Sequence, residues 1–385
     1  MMDQRDGSVR VDNAEEARMF LTRWVFSPLN GVLFGDWLRL VANHGRAITP
    51  AYWPRAGMAT AMSMLNSLVR PVEDLRFGRL LDSVRVERPV FVLGHHRSGT
   101  THLWNLLTQD PQFAYPTILQ AMFPHSFLSF EGVLQGLAAP LAIRKRPQDN
   151  VRISPDAPLE EERALCTQTF LSIQMARHFP GHRAQFERFL TMRDATDAER
   201  ARWRRAFSRF SQKLLLRHGL DRTLVFKSPD HTGKIRLILE LFPDARFIHI
   251  HRHPYTVFAS TQKMERLTQP IYAFQPTSLD AQDDFILWRY RRMYDAFFED
   301  RDLIPAGQFA EIAFRDLERE PVEQMEAVYR TLGLPGFHRA RPRLEAYLAG
   351  IAGYRKNAHA HLPPPIRRRI QSEWSESFDR WGYEA

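Results

Sequence analysis

Residues 89–101 read Pro89-Val-Phe-Val-Leu-Gly-His-His-Arg-Ser-Gly-Thr-Thr101, passing from wholly apolar to polar and glycine-bearing sequence. The apolar run is typical of a short strand buried in a parallel sheet. Gly94 and Gly99 let the backbone curl, and an apolar pattern at helical spacing follows over Thr101–Thr108. This part of the chain therefore predicts a strand, a loop and a helix in succession.

A loop between a buried strand and a helix N-terminus is suited to binding an anion. Its N–H groups converge on one point, and the helix adds about half a positive charge there. The two glycines have Walker A spacing, but Thr100 stands where a nucleoside triphosphatase needs lysine, and the nearest cation is Arg97. No later strand supplies a carboxylate for magnesium, so we expect a phosphate-type cradle without a metal.

The same alternation continues downstream. Strands are predicted at 224–226, 246–251 and 309–314, and helices at 234–242 and 321–332. Strands and helices in this order indicate a parallel sheet covered on both faces, with ligands at the carboxyl ends of its strands.

The region before the first strand has a different pattern. Residues 14–88 read as helical, and Leu65, Leu68, Val69 and Val72 fall on one helical face. We therefore predict a helical N-terminal extension over residues 1–88, packed on an α/β domain over residues 89–385.

Composition limits the classes of partner. Lys and Arg exceed Asp and Glu by 53 to 44, a formal charge of +9 that favours anionic ligands. Cys166 is the single cysteine, which excludes an intrachain disulfide and a cysteine-cluster metal site, and we expect it to be buried. Phe127–Ile143 is largely apolar but is interrupted by glycine and proline, which predicts a helical hairpin and no membrane span. Met1–Arg10 has no signal-peptide pattern, so we expect a cytoplasmic protein.

A second anion motif follows the strand at 246–251. Arg252-His-Pro254 ends this strand, Pro254 suits the first turn of a helix, and Ser260 lies eight residues after the arginine. Arg252 and Ser260 can then converge on one phosphate, one from the strand end and the other from the helix.

Together these motifs resemble those of the bacterial-type sulfotransferases that use 3′-phosphoadenosine-5′-phosphosulfate. The resemblance implies a P-loop-like three-layer α/β sandwich, with a central parallel β-sheet flanked by helices. It also implies that Arg97 and Lys227 face the sulfuryl group, that Arg252 and Ser260 hold the 3′-phosphate, and that no metal is needed. The residues implied to line the 5′-phosphosulfate loop are Gly94, His96, Arg97, Ser98, Gly99, Thr100 and Thr101. Near the C-terminus, Tyr354-Arg355-Lys356-Asn357 partly resembles the segment that closes over the 3′-phosphate, so Arg355 and Lys356 join the predicted donor site.

Sulfuryl transfer also needs a base for the acceptor hydroxyl. The candidates are the acidic run Glu160, Glu161 and Glu162, which resembles an acidic segment of some family members, and the histidines His95, His96, His102 and His231. In cytosolic members a histidine lies two residues after the strand-end lysine. Here Pro229 occupies that position, with His231 two residues further on.

We therefore expect an enzyme that moves a sulfuryl group to a hydroxyl or amine acceptor and releases adenosine 3′,5′-bisphosphate. Because an apolar roof over 127–143 favours a greasy substrate, the expected acceptor is a small or lipid-like hydroxyl compound, with peripheral contact at a membrane surface. The alternatives are a nucleotide-binding phosphotransferase and a non-catalytic nucleotide- or nucleic-acid-binding protein. Aromatic and basic residues are not interleaved as in a nucleic-acid groove, so no nucleic-acid partner is expected.

Overall fold

A central parallel sheet organises the chain. The computed structural model describes residues 29–138, 156–353 and 362–384. Its five strands lie in the order β2-β3-β1-β4-β5, and every neighbouring pair is parallel. They are β1 (Val90–Leu93), β2 (Phe113–Ala114), β3 (Thr223–Lys227), β4 (Arg246–His251) and β5 (Phe309–Ala313).

Helices cover both faces of this sheet, which confirms the predicted α/β class. Alternate residues of β1 point to opposite faces, so Phe91 and Leu93 join one hydrophobic core while Val90 and Val92 join the other. All four residues of β1 are buried, as the continuous apolar run predicts for a strand with neighbours on both edges.

The helices of the described residues, in chain order, are α1 (Phe34–His44), α2 (Trp53–Asp82), α3 (Thr100–Leu107), α4 (Ile118–Met122), α5 (Phe127–Ala138), α6 (Glu162–Thr169), α7 (Met175–His178), α8 (Ala184–Glu187), α9 (Asp197–His218), α10 (Ile235–Leu241), α11 (Pro254–Tyr272), α12 (Leu279–Asp300), α13 (Phe314–Arg319), α14 (Pro321–Thr331), α15 (Phe337–Ile351), α16 (Pro364–Glu373) and α17 (Ser375–Trp381). Short 3₁₀ turns lie at Gly45–Ala47, Pro50–Tyr52, Pro180–His182, Pro229–Gly233 and Arg301–Leu303. None of the described helices is long and apolar enough to cross a membrane.

Several features predicted from the sequence can be compared with the structure. Cys166 is buried, as predicted. Helices α3, α10 and α14 begin and end within one residue of their predicted bounds. Only the first part of the predicted hairpin, α5, is described, since residues 139–143 lie outside the described ranges, as do residues 14–28. The two 22-residue helices α9 and α12 were not predicted.

The helices before β1 pack on the sheet domain. Trp37 and Leu40 of α1 belong to the same core as Phe91 of β1. We therefore propose that residues 29–88 fold as one unit with the sheet rather than as a separate domain.

Helix α2 packs with its polar side inwards. Leu65, Leu68 and Val72 do lie on one face, but that face is exposed to solvent instead of facing the core. The buried face carries Arg55, Asn66 and Glu73, among others, and each has partners in the protein. Sequence periodicity correctly predicted that these apolar residues share one face of the helix. It did not reveal whether that face points to the core or to solvent.

The buried ion pair of Glu73 and Lys213 fastens α2 to α9. The Nζ atom of Lys213 lies 2.6 Å from Oε1 of Glu73 and 3.0 Å from the carbonyl oxygen of Pro124. Burial lowers the pKa of Lys213, although Glu73 opposes this. A buried ammonium without a counter-charge is costly.

We predict that Glu73→Gln lowers the free energy of unfolding by about 3 kcal/mol, because it leaves the Lys213 ammonium buried without a negative partner. Urea denaturation measures this, and Glu73→Gln combined with Lys213→Met should recover most of the loss. The control is Asp74→Asn, which breaks the half-exposed pair with Arg70 and should cost less than about 1 kcal/mol. Equal losses in Glu73→Gln and Asp74→Asn would contradict the prediction.

Candidate active site

The strand order places the predicted anion motifs at one edge of the sheet. β1 lies between β3 and β4, with Val92 paired to Lys227 and Leu93 paired to His249. Parallel strands end at the same edge, so the loop after β1 lies between Lys227 at the end of β3 and Arg252 just after β4.

Gly94 and Gly99 shape the loop between β1 and α3. Their φ angles are +134° and +107°, in the region that favours glycine. A Cβ atom at position 94 would collide with the carbonyl oxygen of Ile250, and one at position 99 would collide with the ring of Phe314. The loop therefore fits closely against β4 and α13, and replacing either glycine would displace the backbone of β4 or the ring of Phe314.

The loop leaves backbone donors available to an anion. The amide of Gly94 donates to Oγ1 of Thr232 at 2.7 Å, and the amide of Ser98 donates to the carbonyl of His95 at 3.1 Å. Among the hydrogen bonds of the described residues, the amides of Gly99, Thr100 and Thr101 donate to no protein acceptor. These donors belong to the first turn of α3 and fit a phosphate or sulfate group.

Two guanidinium groups and a hydroxyl group meet beside this turn. Nε of Arg97 donates to Oγ of Ser260 at 3.0 Å, and Nη1 of Arg252 lies 3.4 Å from the carbonyl oxygen of Arg97. Arg252 also stacks on the ring of Phe314, with Cζ 4.3 Å from the ring centroid. Burial and the nearby Arg97 lower the pKa of Arg252, so an anion between the two arginines would relieve their repulsion.

On the other side of the loop, Lys227 contacts the acidic run. Its Nζ atom lies 2.5 Å from Oε1 of Glu160 and 5.1 Å from the centroid of the Trp104 ring. The side chain of Glu160 is 26% exposed. This glutamate therefore lies at the open side of the site, in contact with a predicted catalytic cation.

The other two glutamates of the run lie beneath the site. Glu161 accepts a hydrogen bond from the backbone amide of Lys227 at 3.1 Å, which holds the end of β3. Glu162 pairs with Lys234 at 3.1 Å and accepts from Ser172 at 2.6 Å. Burial raises the pKa of Glu162. Both side chains are fully enclosed, so neither can meet an acceptor in this conformation.

His231 is also enclosed. Its Nε2 atom lies 2.7 Å from Oε1 of Glu161, but the two groups are not oriented for a hydrogen bond. The imidazole packs against Phe91 and Phe207, with ring centroids 5.7 and 5.4 Å away. Of the predicted catalytic group, Arg97 and Glu160 are partly exposed, and the buried side chain of Lys227 contacts Glu160. His231, Glu161 and Glu162 are enclosed. Arg355 and Lys356 lie outside the described residues.

Arg289 on α12 orients a histidine of the loop. Nη2 of Arg289 lies 2.6 Å from Nε2 of His96 and also pairs with Asp230, which accepts from Gln174 at 2.9 Å. A guanidinium can only donate, so Nε2 of His96 must accept and the ring proton lies on Nδ1. Burial and Arg289 hold the pKa of His96 well below its usual range. His96 is thus a neutral N–H donor within the anion loop.

A second buried cluster lies near Glu160. The Cζ atoms of Arg177 and Arg163 lie 4.1 and 4.8 Å from the centroid of the Tyr272 ring, and Arg163 donates to the Tyr272 hydroxyl group at 3.1 Å. Arg177 pairs with Glu265 at 3.0 Å. Burial raises the pKa of Tyr272, but the two arginines outweigh this and lower it.

The sequence did not single out Arg289, Asp230 or the Tyr272 cluster. Arg289 and Tyr272 belong to long helices that carry many other polar residues, so only their neighbours in space distinguish them. No group of three or more His, Cys, Asp and Glu residues that could hold a metal ion occurs in the described part of the chain.

Comparison with known proteins supplies the family context. The sulfotransferase family profile matches residues 89–339. The omega-hydroxy-beta-dihydromenaquinone-9 sulfotransferases Stf3 of Mycobacterium bovis and Mycobacterium tuberculosis are each 33% identical over 368 residues, covering 94% of this chain and 94% of the relative. Sulfotransferase STF9 of Mycobacterium avium has a TM-score of 0.69 at 20% identity and covers 99% of both chains. STF1 of Mycobacterium tuberculosis has a TM-score of 0.64 at 19% identity, over 97% of this chain and 100% of the other. At these identities the two solved structures show a shared fold.

Buried histidines should make the protein sensitive to mild acid. Burial lowers the pKa values of His95, His125 and His178 from 6.5 to about 3. Below pH 6.5 the unfolded chain binds protons that the native state excludes, so each such histidine removes about 1.4 kcal/mol of stability per pH unit, down to its native pKa.

We predict that the free energy of unfolding falls steeply between pH 6.5 and 5.5, as measured by urea denaturation at each pH. His178→Gln removes one of these titrating groups. The free energy of unfolding of this variant should therefore fall by about 1.4 kcal/mol less per pH unit than that of the unmodified protein. A stability that is constant over this interval would contradict the prediction.

Proposed function

This chain belongs to the sulfotransferase family and is a sulfotransferase, and from that premise we propose that its open strand-end site transfers a sulfuryl group from 3′-phosphoadenosine-5′-phosphosulfate to the hydroxyl group of a lipid-like acceptor. The phosphotransferase and non-catalytic alternatives are thereby set aside. The observation that carries the donor assignment is the convergence of Arg97, Arg252 and Ser260 beside the available amides of α3.

The donor-binding residues divide between two anionic groups. We assign the amides of Gly99, Thr100 and Thr101 and the side chain of Arg97 to the 5′-phosphosulfate, together with the other loop residues Gly94, His96 and Ser98. Arg252 and Ser260 are assigned to the 3′-phosphate. The close glycine packing supports these assignments, because it aims the backbone donors of the loop at one point.

The bound donor supplies the sulfuryl group and a phosphate leaving group. In the proposed transfer, the carboxylate of Glu160 takes the proton of the acceptor hydroxyl as its oxygen bonds to sulfur. The bond between sulfur and the bridging oxygen breaks, and the electron pair stays on the phosphate. Arg97 and Lys227 balance this growing negative charge, and the Nδ1–H of His96 donates a hydrogen bond at the loop.

Glu160 is the proposed base because it combines exposure with contact to Lys227. Glu161 and Asp230 act as positioning residues, the first on the backbone of Lys227 and the second on Arg289. Among the histidine candidates, His231 has no comparable support because its ring is enclosed by aromatic side chains.

The proposed acceptor is a long apolar compound with a terminal hydroxyl group. The Stf3 relatives are named for sulfation of an omega-hydroxy-beta-dihydromenaquinone-9, and they match almost the whole chain. Helix α5 adds half-buried Phe130 and Leu134 and the 62%-exposed Val133. Such a roof favours a greasy acceptor, drawn from a membrane by peripheral contact.

Arg252→Ala should weaken the binding of adenosine 3′,5′-bisphosphate about 30-fold, because losing one charge-assisted contact to a phosphate costs about 2 kcal/mol. Isothermal titration calorimetry measures the dissociation constant, and circular dichroism checks that the fold is intact. Arg315→Ala is the matched control, since that arginine follows Phe314, on whose ring Arg252 stacks, but is itself 69% exposed. Unchanged affinity in Arg252→Ala would show that the 3′-phosphate assignment is wrong.

Glu160→Gln should lower kcat by about 10²–10⁴-fold, the usual contribution of a general base. The affinity for adenosine 3′,5′-bisphosphate should stay close to that of the unmodified protein, because Glu160 faces the acceptor rather than the donor. Asp156→Asn is the control, since it removes a nearby exposed carboxylate that accepts a hydrogen bond from Gln135. A kcat for Glu160→Gln similar to that of Asp156→Asn would require a different base.

A further inference from the structure

The long helix α2 has its amphipathic pattern reversed. Its 30 residues include buried Arg55, Ser63, Asn66 and Glu73 on the side that faces the protein. The opposite side exposes six large apolar side chains to 42–88% of their surface, namely Trp53, Met64, Leu65, Leu68, Val72 and Leu75. A helix on the surface of a water-soluble domain normally has the opposite arrangement.

Three sets of polar contacts keep this face turned outwards. Arg55 donates to the carbonyl oxygens of Ala273 and Pro270, at the end of α11. Asn66 donates to the carbonyl oxygens of residues 30 and 32, at 2.6 and 3.0 Å. Glu73 pairs with Lys213 of α9. Rotating α2 to bury its leucines would break all three sets and leave buried polar groups without partners. The exposed face is therefore built into the fold.

The apolar face is continuous over 23 residues. Positions 53, 57, 61, 64, 68, 72 and 75 follow at intervals of three or four and hold Trp, Gly, Ala, Met, Leu, Val and Leu. At 1.5 Å per residue this face is about 33 Å long. A contiguous apolar surface of this extent marks an interaction site.

Charge and shape around the face favour lipid as the partner. Arg76 and Arg79 are exposed where the apolar stretch ends, and Trp53 lies at its opposite end, so basic and aromatic residues border it as in helices that lie at membrane interfaces. An open cavity of about 500 Å³ adjoins the face and is lined by Leu33, Ser67, Arg70, Pro71, Asp74 and Leu75. Leu33 and Leu75 give the cavity apolar walls suited to an acyl chain, and the ion pair of Arg70 with Asp74 supplies its charged groups.

The same helix contacts elements that border the proposed acceptor site. Arg55 binds the end of α11, which carries Tyr272 near Glu160, and Glu73 accepts from the backbone amide of Ser129 in α5. An enzyme with a lipid acceptor must reach the membrane, so the choice of lipid over another apolar partner rests on the proposed function.

We propose that the outer face of α2, from Trp53 to Leu75, docks on the surface of an anionic lipid membrane. Its apolar side chains lie among the acyl chains, and Arg76 and Arg79 contact the headgroups. The lipid acceptor then reaches the active site without passing through water.

Vesicle flotation with the full chain tests this proposal. The unmodified protein should float with vesicles of phosphatidylcholine and phosphatidylglycerol, and less with phosphatidylcholine alone. Leu68→Glu combined with Leu75→Glu should weaken binding at least 100-fold, since burying each leucine is worth about tenfold or more. These side chains are 76% and 88% exposed, so the fold should survive. The matched control joins Leu220→Glu and Leu279→Glu, at 62% and 54% exposure outside α2, and should bind vesicles as the unmodified protein does.

Two outcomes would overturn the proposal. One is equal flotation of the α2 variant and the unmodified protein. The other is no flotation, together with a dimer in light scattering that the α2 variant dissociates, which would assign the face to a second copy of this chain.

Flotation and binding of adenosine 3′,5′-bisphosphate need no acceptor, so they separate docking from catalysis. If the α2 variant loses flotation and the unmodified protein sulfates no lipid, the proposed acceptor is wrong while docking stands. If the docking proposal and the lipid acceptor are both correct, the α2 variant should lose turnover of an acceptor embedded in vesicles. It should keep turnover of a short-chain, water-soluble alcohol.

Discussion

The parallel pairing of β1 with β3 on one side and β4 on the other is the constraint on which the site depends. It brings three chain segments to one sheet edge: the anion loop, which ends at Thr101, then Lys227 126 residues later, and Arg252 151 residues later. Because the chain runs in the same direction in all three strands, each delivers its following polar residues to the same edge. The meeting of the anion loop, Lys227 and Arg252 at one edge thus follows from strand order.

Beneath that edge, buried charges orient the groups that face the site. Glu161 holds the backbone of Lys227, and the Asp230–Arg289 pair fixes which nitrogen of His96 carries the proton. Buried ion pairs contribute little net stability, because desolvation offsets most of their attraction. Their effect here is on position: the enclosed Glu161 fixes the backbone of Lys227, and the buried Asp230–Arg289 pair fixes the imidazole of His96.

In helix α2, the need of buried polar groups for hydrogen-bond partners decides which face of the helix is exposed. Arg55, Asn66 and Glu73 require partners inside the protein, and meeting that requirement turns the leucines outwards. The exposed apolar face is therefore a consequence of how the helix is fastened, and it is the surface that we propose docks on lipid.

Local sequence predicted the strands β1 and β4, the loop between β1 and α3, and Arg97, Arg252 and Ser260 as candidate anion-binding residues. These features could be predicted because each motif is a short, continuous stretch of the chain. Tertiary structure alone separated Glu160 from Glu161 and Glu162, since three adjacent glutamates differ only in what surrounds them. It likewise enclosed His231, brought Arg289 to His96 across 193 residues, and set the outward direction of α2. Periodicity identifies a helical face, but the partners that can satisfy its polar residues decide which way it points.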